Sequence, residues 1–132
     1  MKKLSIILAV LLCLLLIGCS LEAPATNPAP KQVSAKEAKE MIDEGKVQVI
    51  DVRTPEEFEA GHIQGAKLIP LQQLEDRLDE LDKEQSYLLV CRTGNRSAQA
   101  QEVLANHGFN HTYNMLQGMA QWPYETIKSE MD

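Results

Sequence analysis

"YLLVCRTGNRSAQAQEVLANHGF", residues 87–109, decides how this chain folds. It opens with Tyr87 to Cys91, a short, continuous apolar run of the kind that forms a strand buried on both faces. It closes with an alanine-rich segment running from Ser97 through Val103 and Leu104 to His107, where Gly108 supplies a helix stop. Between them lie a cysteine, two arginines, a glycine and small polar residues. A strand that passes directly into a helix is the repeating unit of a parallel α/β sheet, and ligands of such sheets gather at the carboxyl ends of the strands. Cys91 stands at one of those ends.

The flanking sequence repeats the alternation. Ser34-Ala35-Lys36-Glu37 is a capping-box pattern, followed at helical spacing by Ala38, Met41 and Ile42 and ended by Gly45. "VQVIDV", 47–52, predicts a buried strand; Thr54-Pro55-Glu56-Glu57 combines a second capping box with proline at the first helical position, and Gly61 closes that helix. "AKLIP" predicts a brief strand. Leu71, Leu74, Leu78 and Leu81 then fall on one side of an expected amphipathic helix. "HTYNM" predicts the last strand and "GMAQW" a final short helix before Pro123. The expected fold is a single-domain α/β parallel sheet with helices on both faces. Residues 33–132 form that domain, long enough for one core and not for two.

The N-terminal segment is of another kind. Met1-Lys2-Lys3 followed by an apolar run from Leu4 to Ile17 has the charge and length of an export signal and is too short for a spanning helix. It ends in "LIGC", Leu16–Cys19, which resembles the lipobox of bacterial lipoproteins. That resemblance implies a signal peptide over 1–18 and lipid attachment at Cys19. Residues 19–32 then form the lipidated N-terminus and a proline-rich linker, whose "SLEAPATNPAPKQ" reaches roughly 40 Å when semi-extended. The expected location is the cell envelope, lipid-anchored on the extracytoplasmic side of a bacterial membrane.

Loss of Lys2 and Lys3 leaves 11 basic against 19 acidic residues, a net charge of about −8. Nucleic acid is therefore not an expected partner, since no basic stripe exists to meet it. Of the three cysteines, Cys13 and Cys19 both lie in the leader, so Cys91 is the one thiol expected in the mature domain. It can be a packing residue, a metal ligand or a nucleophile. His107 and His111 straddle Gly108 and share no helical face, and there is no second cysteine nearby, so no metal site is expected. A buried structural cysteine has no need of Arg92 and Arg96 within five positions. A loop leading from Cys91 into a helix aims backbone N–H groups and the positive end of the helix dipole at the sulfur, which favours thiolate. Gly94 permits the tight turn, while Thr93, Asn95 and Ser97 hydrogen-bond locally without filling the bowl.

"VIDVRTPEEFEAGHIQGAKLIP", 49–70, "YLLVCRTGNRSAQAQEVLANHGF" and "LQGMAQW", 116–122, together resemble a single-domain rhodanese, the sulfurtransferase family. The resemblance covers nearly all of 33–128. It implies that Cys91 takes a sulfane sulfur from thiosulfate or a persulfide, carries it as a persulfide and passes it to cyanide or a thiol. On this reading Arg92, Thr93, Gly94, Asn95, Arg96 and Ser97 bind substrate, the arginines holding the donor's anionic end or balancing the loop's charge. Asp51 and Arg53 match the family's "DVR" and either brace the loop or form an ordinary strand-end pair. His62 is expected to stabilise a turn, and Trp122 to be core or pocket wall. The small departure is Gln117, where many members have a second glycine, a change expected to touch the final loop and not the cysteine bowl. No cofactor is implied; the expected partners are small sulfur-containing anions, thiols and the membrane, and the expected state is a monomer.

Two other classes compete with this reading. A non-catalytic module that senses sulfide species or binds a partner would have less use for the cysteine and its loop. Cysteine phosphatases of related fold place five residues between cysteine and arginine, whereas Cys91 and Arg96 enclose only Arg92, Thr93, Gly94 and Asn95. The anchor is open to direct test: Cys19→Ala is expected to abolish metabolic lipid labelling of the full chain, and labelling that persists in this variant would exclude Cys19 as the attachment site.

Overall fold

Strand β4 (Tyr87–Val90) is buried at every position, and its alternating side chains separate two cores. Tyr87, Leu89 and, just beyond the strand, Cys91 enter one cluster, with Ile50, Leu74, Ala100, Leu104 and Phe109. Leu88 and Val90 enter the other, with Val33, Ala38, Val49, Ile63 and Met115. A strand with apolar side chains on both faces can be satisfied only between two layers, which is why this run lies mid-sheet. The computed structural model describes residues 29–129. The apolar leader, Cys19 and the linker up to residue 28 lie outside the described residues.

The sheet runs β1 (Lys31–Val33), β5 (Thr112–Met115), β4, β2 (Gln48–Asp51), β3 (Lys67–Leu68) in space, and every neighbouring pair is parallel. Helix α1 (Ala35–Asp43) covers the Leu88/Val90 face, and both halves of the Ser34/Glu37 capping box are formed. Helix α3 (Asn95–Asn106) covers the opposite face through Ala100 and Leu104. Helix α2 (Pro55–Ala60) has its own capping box, Thr54/Glu57, with Pro55 at its start. The α/β parallel sheet with helices on both faces is thus the architecture observed. Lys31 and Gln32, assigned from sequence to the linker, pair with Tyr113 and Asn114 of β5.

Two elements differ from expectation. The stretch expected as one amphipathic helix forms two 3-10 segments, Leu71–Gln73 and Glu75–Glu80, with Arg77 outside helical geometry at φ −121°, ψ 18°. Residues three apart eclipse in a 3-10 helix. Leu71/Leu74 and Leu78/Leu81 keep that spacing, and the backbone breaks within the four-residue step between the pairs. Helix α3, for its part, begins at Asn95 and not Ser97, because Gly94 adopts a left-handed conformation (φ 96°) and turns the chain two residues early.

The loop after β5 is the third difference. Gln117 (φ 62°) is the one non-glycine residue with positive φ among the described residues, and Gly118 (φ 56°) follows it. A Cβ on Gly118 would come within 2.6 Å of the Arg92 carbonyl oxygen and nearer still to that of Cys91. A Cβ on Gly94 would meet the Gln117 amide nitrogen at 3.4 Å. The final loop therefore packs directly on the cysteine loop, and the expected separation of Gln117 from the bowl does not hold. Opposite effects follow at adjacent positions: Gln117→Gly is expected to stabilise by about 0.5–1 kcal/mol through relief of left-handed strain, and Gly118→Ala to destabilise by about 2 kcal/mol or more through the clash. Urea denaturation of both variants measures this.

Candidate active site

Cys91 follows the last residue of β4 and is 1% exposed, at the start of the loop that leads into α3. The Gly94 N–H donates to its Sγ at 3.0 Å, and the Ser97 hydroxyl lies 3.3 Å from it. Gly94 supplies no side-chain cap to α3; amides at that end of the helix turn to the sulfur instead. Burial pushes the thiol up, while hydrogen bonds at Ser97 and from the amides of Thr93 and Gly94 pull it down, and the net direction is below the ordinary value. Thiolate is thus favoured by hydrogen bonds from the loop, in line with the backbone N–H groups expected there, and the arginines add no bond to the sulfur.

The arginines have other roles. Arg96 makes a bidentate pair with Glu57 of α2, Nη1 to Oε2 at 2.7 Å and Nη2 to Oε1 at 2.8 Å. The same Oε2 accepts the Thr54 N–H at 3.0 Å, so the capping box of α2 is tied to the first turn of α3. Arg96 is therefore committed within the domain and is not free to hold a donor. Arg92 is exposed and, among the described residues, has no ion-pair partner. It lines a shallow depression beside the bowl with Arg53, Glu57, Ala60, Met119 and Ala120. Thr93 and Asn95 are exposed, and Ser97 is fully buried.

Asp51 and Arg53 form a buried pair at the end of β2, with Nε to Oδ1 at 2.9 Å and Nη2 to Oδ2 at 2.7 Å. Arg53 Nη2 also donates to the Gly61 carbonyl at 2.8 Å. The pair fixes the C-terminus of α2 and does not bond to the cysteine loop. It reaches the site through α2, which carries Glu57. His62 bonds through Nδ1 to the Phe58 carbonyl at 2.8 Å and pairs by its backbone with Ile127, the turn-stabilising role expected of it. Trp122 packs, partly buried, on the α1-side core.

Four contributors are not announced by the sequence. Glu57 was accounted for by its capping box, which concealed its second role. Asn114 accepts from Ser97 Oγ at 2.6 Å and donates to the Gly94 carbonyl at 3.2 Å; a lone amide inside the apolar "TYNM" strand was the available signal. The Met119 and Ala120 amides donate to the Cys91 and Arg92 carbonyls at 2.8 and 2.9 Å, a contact between distant segments that no local pattern announces.

This is a parallel α/β domain that delivers one cysteine from its central strand into a ring of amides at a helix start. The model of the Rhodanese-like domain matches residues 34–125, and the chain belongs to that family. The thiosulfate sulfurtransferase GlpE of Ectopseudomonas mendocina (strain ymp) is 33% identical over 102 residues, covering 74% of this chain and 93% of the relative. The uncharacterized protein YqhL of Bacillus subtilis (strain 168) is 43% identical over 77 residues, covering 58% of this chain; the chain spans only 61% of that relative's length. The crystal structure of a rhodanese-like domain protein from Staphylococcus aureus superposes with a TM-score of 0.70 at 38% identity, covering 75% of this chain and 98% of that one.

The Glu57–Arg96 link gives a pH signature. Chiefly through the Arg96 hydrogen bonds, the Glu57 carboxyl is held down at about 2. Its folded pKa is depressed, so its contribution to stability is full above the unfolded carboxylate range of about 4.3 and is lost as pH falls from there through about 2. Glu57→Gln is expected to cost about 1 kcal/mol at neutral pH and to flatten the acid limb, as read by urea denaturation across pH.

Proposed function

We propose that the domain is an extracytoplasmic sulfurtransferase that carries a sulfane sulfur as a persulfide on Cys91. One observation carries this reading: Sγ sits at the start of α3 and accepts the Gly94 N–H at 3.0 Å, within a loop enclosing only four residues between Cys91 and Arg96. A ring that tight surrounds a single sulfur, whereas a phosphoryl group needs donors for three equatorial oxygens. The family, with a thiosulfate sulfurtransferase among its matched members, supports the same chemistry.

The Cys91 thiolate attacks the outer sulfur of a thiosulfate-like donor. The new bond forms from Sγ to that sulfur, the donor's S–S bond breaks, and sulfite departs with the electron pair. The negative charge now rests on the outer sulfur of the persulfide, where the loop amides meet it. Cyanide or a thiolate acceptor then attacks that outer sulfur, and Cys91 leaves as thiolate with the pair of the broken bond. Arg92, the uncommitted cation beside the bowl, meets the donor's anionic end; Arg96, held by Glu57, fixes the loop. Lipid attachment at Cys19 holds this activity at the outer side of the membrane.

The expected result with thiosulfate is a mass gain of one sulfur atom on Cys91, removed by cyanide and absent in Cys91→Ser, with no turnover of aryl phosphates. Phosphate hydrolysis without any persulfide would overturn the assignment.

A further inference from the structure

The buried face of β5 carries a polar side chain whose place in the site rests on the single proton of Ser97. Asn114 is 2% exposed, Ser97 is fully buried and Cys91 is 1% exposed, so water does not complete their hydrogen bonds. Asn114 Nδ2 donates to the Gly94 carbonyl at 3.2 Å. Turning the amide over would set Oδ1 against that carbonyl, two acceptors with no proton between them, at a cost comparable to a buried unsatisfied group. The orientation is therefore fixed, and Oδ1 faces Ser97 Oγ at 2.6 Å. A serine hydroxyl has one proton. At that short distance it belongs to Asn114, and Ser97 presents a lone pair to Cys91 Sγ, 3.3 Å away.

We infer that Asn114 is a positioning residue of the sulfur site: it holds the Ser97 proton away from Cys91, so that the resting thiol donates S–H to Ser97 and the thiolate is supported by the loop amides alone. The purpose of this arrangement rests on the sulfur-transfer reading; its geometry does not. In the persulfide, Sγ is bonded to the outer sulfur and carries neither proton nor charge, so Ser97 keeps its bond to Asn114 without conflict. In the free thiolate, the charge on Sγ faces an oxygen lone pair unless the Ser97 proton turns, and that turn strands Oδ1. Asn114 thereby disfavours charge on Sγ relative to charge on the outer sulfur and biases the site toward its loaded form.

None of the charged groups around the sulfur hydrogen-bonds to Ser97 or Asn114. Arg92 on the loop is exposed; Arg96 of α3 is bound by Glu57 of α2; Asp51 and Arg53 at the end of β2 bind each other. The Leu71–Gln73 and Gly118–Gln121 segments bring no charge.

The test is the pH profile of Cys91 alkylation in the full chain, read by mass spectrometry of the Cys91 peptide so that Cys13 and Cys19 do not contribute. Asn114→Leu frees the Ser97 proton for the thiolate and is expected to lower the midpoint by about one pH unit. A loop merely loosened by loss of the Gly94 bond would lose amides from the sulfur and move the midpoint the other way. Ser97→Ala, which leaves the Asn114–Gly94 bond intact, is expected not to raise the midpoint, because the hydroxyl gives the thiolate nothing in the wild type. The double variant Ser97→Ala/Asn114→Leu is expected to lose the downward shift. A midpoint unchanged or raised in Asn114→Leu, or raised in Ser97→Ala, overturns the inference. Alkylation needs no sulfur donor, so these outcomes are read separately from whether a persulfide forms.

Discussion

Two hydrogen bonds between segments far apart in sequence hold the site in its working form. The carbonyls of Cys91 and Arg92 are taken by the amides of Met119 and Ala120. A trans peptide places its N–H opposite its C=O, so tying these carbonyls outward turns the following N–H groups inward. The Thr93 amide, which shares a peptide with the Arg92 carbonyl, accordingly supports the thiolate of Cys91. The orientation of the bowl is thus imposed by the Gly118–Gln121 segment as much as by the loop's own residues. It also explains why Gly118 must be glycine: the approach that lets the amides reach leaves no room for a Cβ.

The fold was legible in the sequence wherever one local signal had one structural consequence. The two capping boxes, the continuous apolar run of β4 and the glycine stops each act within a few residues, and each element formed where its pattern lay. The leucine series at 71–81 misled because its 3-4-3 spacing satisfies both an α-helix and a pair of 3-10 turns, and packing around Leu74 chose between them. β1 escaped because three residues after a proline-rich stretch carry no periodicity; only the exposed edge of β5 recruits them. Cys91 and its loop were legible, since residue types and spacing are local there. Glu57, Asn114 and the Met119 and Ala120 amides were not, because each acts across a gap of tens of residues that only the folded chain closes.

Charge in the site is arranged by commitment. Of the three arginines near the sulfur, Arg53 is held by Asp51 and Gly61, and Arg96 by Glu57. Each pair is bidentate, a geometry that fixes position as well as charge. These links join β2, α2 and α3 into one frame behind the loop, and they remove two cations from competition for substrate. What remains for a bound anion is Arg92 and the dipoles of the loop. Thiolate support from amides, which have no counter-charge to lose to salt, is less sensitive to ionic strength than support from exposed arginines.

The isolation of Cys91 bears on how a persulfide would be discharged. It is the one free cysteine among the described residues, so no neighbouring thiol there can displace the sulfur by forming a disulfide within the domain. In the proposed reaction the acceptor must come from outside, and Sγ itself is all but inaccessible. The outer sulfur is the atom an acceptor can reach, by way of the depression lined by Arg53, Arg92 and Met119. The chain as a whole carries a net charge of −6, which opposes the approach of large polyanions, while Arg92 provides a local attraction effective only within about a Debye length. In the proposed reaction that combination favours small anionic donors, which can come within reach of Arg92.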